Sequence, residues 1–262
     1  MNILDLGFGG LEAQLWQIMF LSIRCGAALL AAPMVGGTAV PPQVRIMLSI
    51  VLGFFIASWV PLPPAPDMLS FAAVLAILQE VLVGTAMGFV LQLAFAIPLI
   101  AAEQISGTMG LAIATSIDPA SGAQSGAFGT FLGLVLSLLF YLVGGHLLWF
   151  ELLIESYQLL PAGDFTFGAW RAQNVALFMG YVFATAAAIA LPMVLVLLLV
   201  QVVTGLLARS APALNLFALG LPAGVLAGIA ALIIAMPVMV TQLEGVIETA
   251  LDRSAAMLAG PP

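Results

Sequence analysis

Few side chains in this sequence could carry out chemistry inside an apolar environment. The ionisable residues that lie within or beside long apolar stretches are Arg24, Glu80, Glu103, His146 and Glu151. Such groups are costly in hydrocarbon, so they usually pair with one another or line a polar path. One interpretation is a proton relay through Glu80, Glu103 and His146. We favour the other, helix-end hydrogen bonds and contacts with partner subunits, because these residues do not form a chain on one helix face.

Signatures of catalysis are nearly absent. A single histidine excludes paired-histidine metal motifs such as H-E-x-x-H, and the sequence contains no G-x-x-x-x-G-K-[ST] loop for ATP. Ser125 and His146 remain as a candidate nucleophile and base of an intramembrane serine protease. The glycine expected two residues before that serine is replaced by Ala123. We therefore predict a non-enzymatic protein with no metal site and no cofactor.

The composition is that of a membrane protein. Of the 262 residues, 63% are hydrophobic and 6% are charged, whereas an ordinary soluble domain has about 25% charged residues to cover its surface. Five arginines and no lysine stand against twelve acidic residues. This balance excludes nucleic-acid binding, which needs a dense basic surface, and anchoring to anionic lipid through a basic patch.

The elements that must position the polar residues are six apolar blocks separated by turn-rich breaks. They cover residues 15–34, 46–60, 71–102, 128–150, 172–208 and 219–243. None alternates apolar and polar residues as the strands of a membrane barrel would. The predicted fold class is therefore all-α, a polytopic membrane-type protein of long, broken helices and helical hairpins.

Two of these blocks do not suit a simple bundle of membrane spans. Residues 172–208 would form a helix of about 55 Å, against a hydrocarbon core of about 30 Å. Pro192 could bend this helix, or protein rather than lipid could cover much of it. The block at residues 46–60 is, in contrast, marginal in length for a span.

Glycines recur at four-residue spacing in three of the blocks. Gly129 and Gly133 form one pair; the two sets considered further are the pair Gly84 and Gly88 and the triple Gly220, Gly224 and Gly228. Glycines at this spacing lie on one face of a helix and let another helix approach closely. We expect both sets to be packing faces.

The segment from Glu103 to Gly126 differs from the apolar blocks on either side of it. Its residues are small, glycine interrupts it repeatedly, and Asp118-Pro119 ends it as a turn. Met109, Leu111 and Ile113 could seal a hole by excluding water and then move aside. The segment suits a constriction or gate, although an ordinary interhelical loop is the alternative.

The same strings, in the same order, resemble the FliR family, subunits of the flagellar type III protein export gate. The resemblance covers about residues 15–245 and rests on these strings: Ala102-Glu-Gln-Ile-Ser-Gly-Thr-Met-Gly-Leu with Ile117-Asp-Pro, Glu80-x-x-x-Gly84-x-x-x-Gly88-Phe, Gly145-His146-Leu, and Gly205-x-x-x-Arg209-x-x-Pro212-x-x-Asn215-x-Phe with Gly220. The sequence departs from the family pattern at Ala102, Thr108 and Ala213. The SctT family of virulence secretion systems shares much of this pattern.

The resemblance implies a pore-forming structural subunit of the flagellar export gate in the bacterial inner membrane, at the basal body. Its implied partners are FliP- and FliQ-type subunits in one complex, an FlhB-type subunit, membrane lipid and unfolded export substrates. Residues 1–165 would be similar in build to FliP, and residues 172–262 to FliQ. The alternatives are the SctT-type subunit of a virulence system and, further away, a secondary transporter or proton channel.

The family match also assigns roles to individual residues. A plug loop at residues 106–122 would hold the gate residues Ser106, Gly107, Met109, Gly110, Leu111, Ile113, Asp118 and Pro119. Residues for assembly and packing would be Arg24, Glu80, Gly84, Gly88, Glu103, His146, Arg209, Pro212, Asn215, Gly220, Gly224 and Gly228. We expect deletion of Gly107–Gly110 to raise ion leakage, and Gly224→Leu to block assembly with partner subunits.

Overall fold

The computed structural model describes residues 9–37, 40–59, 70–110, 126–162, 168–210 and 216–259. Across these ranges the chain forms seven α-helices and no β-strand, which confirms the predicted all-α class. The helices are α1 (Gly9–Ala31), α2 (Pro42–Ala57), α3 (Phe71–Thr108), α4 (Ala127–Leu142), α5 (Gly145–Leu159), α6 (Ala169–Ser210) and α7 (Leu216–Ala259).

The helices match the predicted apolar blocks only in part. Helix α3 continues to Thr108, so Ser106 and Gly107 of the predicted loop lie in its last turn. The fourth block is broken between α4 and α5, where Gly144 adopts a left-handed φ of 75° that favours glycine. Helix α6 passes through Pro192 and continues as one helix of 42 residues.

Helix α7 also extends beyond its apolar block, which ends at Leu243. The additional turns carry charged residues, which mark the end of an uncharged run but not the end of a helix. Their buried side chains recur at helical spacing: Val246, Ile247, Ala250, Ser254, Met257 and Leu258. Glu248, Asp252 and Arg253 are exposed. This amphipathic pattern stabilises a helix against a protein core.

Four helices in the described residues are long and apolar enough to cross a membrane, or five if the broken pair α4 and α5 counts as one span. Helices α3, α6 and α7 have 38, 42 and 44 residues. At 1.5 Å per residue they measure about 57, 63 and 66 Å, about twice the thickness of the hydrocarbon core. Part of each helix must therefore lie outside the hydrocarbon or against protein.

The chain forms two compact units, each built from separated stretches of sequence. Unit 1 comprises Met1–Leu93, Gly144–Phe178 and Thr249–Pro262, and unit 2 comprises Ala94–Val143 and Met179–Glu248. The core of unit 1 includes Leu21, Met87 and Leu153, and that of unit 2 includes Leu136 and Met193. The expected similarity of residues 1–165 to FliP and of residues 172–262 to FliQ stays a prediction, because the division into these two units does not test it.

Candidate functional site

Arg24 of α1 and Glu80 of α3 form a wholly buried ion pair inside unit 1. Arg24 Nε lies 2.9 Å from Glu80 Oε2, and Nη2 lies 2.8 Å from Oε1, so the pair is bidentate. Neither side chain is exposed to solvent. Burying either charge alone would be very costly, whereas the pair is neutral. Both residues were predicted for assembly and packing, and here they join two helices of the same chain.

The remaining donors of Arg24 bind the end of α5. Nη1 donates to the Ser156 carbonyl at 2.8 Å and to its hydroxyl at 3.0 Å, and Nη2 donates to the Leu160 carbonyl at 2.9 Å. The Ser156 carbonyl also accepts the Leu160 N–H at 2.9 Å, whereas the Leu160 carbonyl lies beyond the last turn of α5 and has no acceptor role inside that helix. Arg24 therefore caps α5 from another element, and its five N–H groups all donate hydrogen bonds.

Tyr157 lies on the face of the same guanidinium. The Arg24 Cζ atom is 4.0 Å from the centre of the tyrosine ring, a cation–π contact. The Tyr157 hydroxyl donates to the Leu21 carbonyl of α1, and the Cys25 Sγ lies 3.6 Å from the hydroxyl oxygen. We call Arg24, Glu80, Ser156 and Tyr157 the arginine cluster. It fastens α1, α3 and α5 together.

Gly84 and Gly88 bring α3 against the backbone of α1, also within unit 1. A Cβ atom on Gly84 would overlap the Arg24 carbonyl oxygen and lie 3.0 Å from Ala28 N. One on Gly88 would overlap the Ala28 carbonyl oxygen and lie 2.6 Å from the Ala31 Cβ. Only glycine permits this approach, because the atoms opposite belong largely to a helix backbone that cannot move aside locally.

The end of α3 in unit 2 leads into the predicted gate segment. Ser106 and Met109 are buried, whereas Gly107 is exposed. Gly110 has a φ of 82°, and its N–H donates to the Gly107 carbonyl at 3.2 Å, which ends the helix as a glycine cap. The predicted gate residues Leu111, Ile113, Asp118 and Pro119 lie outside the described residues, as does Ser125.

Met109 packs on two glycines of α7 within unit 2. A Cβ on Gly228 would lie 2.7 Å from the Met109 Sδ and 2.8 Å from its Cγ. A Cβ on Gly224 would lie 3.0 Å from the Met109 carbonyl oxygen. The third glycine of the triple, Gly220, has nothing within 4 Å of the same position.

A second contact joins α3 to α6 in unit 2. The Gln201 Nε2 donates to the Thr108 carbonyl oxygen, one of the last carbonyls of α3. Gln201 is the one amide side chain between Val175 and Ala208. We call Gly224, Gly228 and Gln201, which hold Met109 and the Thr108 carbonyl, the methionine seat.

The other predicted residues do not join these two groups. Glu103 is exposed, and its Oε1 lies 3.5 Å from the Gly126 N–H. Arg209 is exposed in the last turn of α6, and His146 is half-buried in α5. Pro212 and Asn215 lie outside the described residues. Within the residues that the structure describes, no group of three or more His, Cys, Asp or Glu could hold a metal ion.

Sequence reasoning assigned no role to three residues that the structure brings into these groups. Ser156 belongs to the family pattern that follows Gly145-His146-Leu, but the pattern does not say what Ser156 contacts. Tyr157, next to it, looks like an ordinary member of an apolar helix. Gln201 carried the clearest signal, since a lone amide in a long apolar run has to find a hydrogen-bond partner. The sequence alone did not say where that partner lies.

The chain is similar in sequence to known export proteins. The family model described as bacterial export proteins, family 1, matches residues 15–250. The flagellar biosynthetic protein FliR of Escherichia coli (strain K12) is 33% identical over 215 residues, 82% of each chain. FliR of Pectobacterium carotovorum subsp. carotovorum is 31% identical over 242 residues, 92% of each chain. The surface presentation of antigens protein SpaR of Salmonella typhimurium is 34% identical over 193 residues, covering 73% of this chain and 70% of SpaR.

Proposed function

The chain belongs to the bacterial export proteins of family 1, and from this premise we propose that it is a pore-forming structural subunit of a flagellar type III export gate. The family consists of components of export apparatuses that work with other export subunits. The long apolar helices make the chain an integral membrane protein. We place it in the inner membrane at the flagellar basal body, without a catalytic role.

The observation that carries this proposal is the large apolar surface that α6 and α7 leave uncovered. In the apolar 18-residue stretches that make these helices long enough to span a membrane, only 28% of α6 and 22% of α7 is buried within the chain, against 50% for α3. Exposed side chains such as Leu199, Val203 and Ile234 face outward from helices that are too long for lipid alone to cover. FliP-, FliQ- and FlhB-type subunits would cover what lipid does not.

The transported molecules would be unfolded flagellar proteins, and the gate would lie where α3 ends. A pore for polypeptides must still exclude ions when it is idle. Met109, Leu111 and Ile113 offer small or flexible apolar groups for this purpose. We expect deletion of Gly107–Gly110 to raise ion conductance across the membrane while the complex still assembles. Unchanged conductance with a fully assembled complex would contradict the gate.

A virulence-type secretion subunit is the second candidate function, because SpaR of Salmonella typhimurium is 34% identical over 193 residues. We favour the flagellar function because the similarity to FliR of Pectobacterium carotovorum covers 92% of each chain. The similarity to SpaR covers 73% of this chain and 70% of SpaR. A proton channel through Glu80 is less well supported, because both carboxylate oxygens of Glu80 bind the guanidinium of Arg24.

The test is removal of the gene in the source bacterium, followed by measurement of flagellar proteins in the culture medium and of swimming. We expect both to be lost and to return when the chain is supplied on a plasmid. A complementing copy that carries Ser125→Ala should work as well as the unchanged chain, because no catalytic serine is proposed. Normal flagellar export in the deletion strain would contradict the proposed function.

A further inference from the structure

We propose that Met109 is a positioning residue of the closed gate, held in place by the methionine seat on α6 and α7. This inference rests on the proposed function and concerns how the end of α3 is fixed when no substrate passes. Sequence reasoning expected the glycines of α7 to face partner subunits. The structure places two of them against Met109 of the same chain.

The fit between Met109 and Gly228 leaves no room for a larger residue. The Met109 side chain is 4% exposed, and its Cγ, Sδ and Cε atoms occupy the space in which a Cβ on Gly228 would stand. Only glycine at position 228 leaves room for the Met109 side chain in this place. A methyl group there would push the thioether out of its place, because two atoms cannot occupy the same space in a close-packed interior.

Two further contacts fix the backbone next to this side chain. Gly224 lets α7 approach the Met109 carbonyl oxygen, and Gln201 donates to the carbonyl of Thr108. The Thr108 carbonyl has no partner within α3, because Thr108 is the last residue of that helix. Side chain and backbone of two consecutive residues are thus held from two helices, immediately before Gly110 with its φ of 82°.

The contacts made by Met109 and Gln201 can break and form again, as a gate that opens and closes requires. Methionine is unbranched and flexible, so its side chain can enter or leave a notch with little strain. Gln201 is exposed, so its amide can exchange the Thr108 carbonyl for water. Neither contact involves a buried charge, and both can break when a substrate passes.

Gly245 provides a control on the same helix. A Cβ there would meet nothing within 4 Å, and the position is not among those predicted for assembly. An alanine at position 245 changes the helix propensity as an alanine at position 228 does, without touching Met109. The two substitutions therefore separate the seat from a general effect of glycine in α7.

The experiment compares Gly228→Ala and Gly245→Ala in the full export complex, in cells and in membrane vesicles. The measurements are sodium leak into vesicles, recovery of the complex, and export. We expect Gly228→Ala to raise the leak about tenfold, since overpacking one core site shifts a two-state equilibrium by about this factor. Gly245→Ala should leak like the unchanged complex, and both variants should yield normal amounts of complex.

Variants of Met109 test the same contact without adding bulk. Met109→Leu keeps the volume and should keep the seal, whereas Met109→Ala empties the notch and should leak. In the combined Gly228→Ala and Met109→Ala chain, the leak should not exceed that of Met109→Ala alone, because no long side chain remains to be displaced.

The proposed role of the methionine seat would be contradicted if Gly228→Ala and Met109→Ala both left the leak unchanged in a complex of normal yield. It would also be contradicted if Gly245→Ala leaked as much as Gly228→Ala. Either result leaves the proposed function intact as long as the unchanged chain restores flagellar export. Failure of the unchanged chain to restore export would instead count against the proposed function.

Discussion

Helix α3 makes close contacts of two different kinds at two places along its length. In unit 1, Gly84 and Gly88 place its backbone directly on the backbone of α1, next to the buried Glu80. In unit 2, the glycines belong to the other helix, α7; Gly228 receives the flexible side chain of Met109, and Gly224 lies against the Met109 backbone carbonyl. Backbone cannot yield without moving a whole helix, whereas a thioether can rotate away. The first contact suits a fixed scaffold and the second suits a movable end.

The largest expected effect comes from removing one partner of the ion pair in the fixed region. Glu80→Ala leaves the buried Arg24 without its counter-charge, and we expect a loss of about 3–5 kcal/mol in stability. The measurement is the thermal unfolding midpoint of the purified complex, together with its yield. Replacing both residues by apolar ones, Arg24→Met with Glu80→Leu, should cost less than Glu80→Ala alone. It should not recover fully, because the Leu160 carbonyl loses the Arg24 donor and the Ser156 carbonyl keeps only the Leu160 N–H.

If Glu80→Ala left stability unchanged, the arginine cluster would not be the support of unit 1. Unit 1 would then not be a fixed scaffold built on this ion pair.

Next in size is an added methyl group at the backbone contact. Gly88→Ala places a Cβ on the Ala28 carbonyl oxygen and 2.6 Å from the Ala31 Cβ. We expect a loss of about 1–3 kcal/mol, because α1 and α3 must separate to relieve the overlap. Gly180→Ala in α6 is the control, since nothing lies within 4 Å of a Cβ there. Equal unfolding midpoints for the two variants would contradict the close contact.

A large side chain at Gly224 tests which partner α7 faces at this position. Gly224→Leu would press on the Met109 carbonyl oxygen, which is 3.0 Å from the position of a Cβ. We expect increased ion leak, together with the reduced co-purification of partner subunits that the sequence predicts. A leak with normal co-purification would place the effect inside the chain. Lost co-purification without any leak from the remaining complexes would place it at an interface with another subunit.

The smallest expected effect is that of one hydrogen bond in the fixed region. Tyr157→Phe removes the hydroxyl that donates to the Leu21 carbonyl but keeps the ring on Arg24. We expect a loss of about 1 kcal/mol in stability and no change in leak. Tyr141→Phe, at an exposed tyrosine of α4, is the control. An increased leak from Tyr157→Phe would mean that the arginine cluster also acts on the gate, and that the two regions are not separate in function.

Much of the fold was predictable because it follows from local properties. Long runs without charge, together with an absence of alternating patterns, led to an all-helical membrane protein, and the structure has this character. The ends of helices were less predictable. The apolar block ended at Leu243, but α7 continues to Ala259, because charged residues on one face do not stop a helix whose other face is buried.

The candidate site was predictable as a set of residue types and not as a set of contacts. Arg24, Glu80 and the glycines were named from the sequence because charge in apolar surroundings and glycines at helical spacing both need a reason. Which of them meet was not visible. Arg24 and Glu80 are 56 positions apart, and Gln201 and Thr108 are 93 apart, so no local pattern joins them.

The sequence by itself determined the class of the protein, the apolar stretches that form its helices, and its family, because composition, periodicity and ordered motifs are properties of neighbouring residues. Tertiary structure alone decided what covers each helix face. Gly220, Gly224 and Gly228 share one spacing, yet one has open space before it and two hold Met109. The spacing shows that residues share a face of a helix, whereas the atoms opposite that face come from distant parts of the chain.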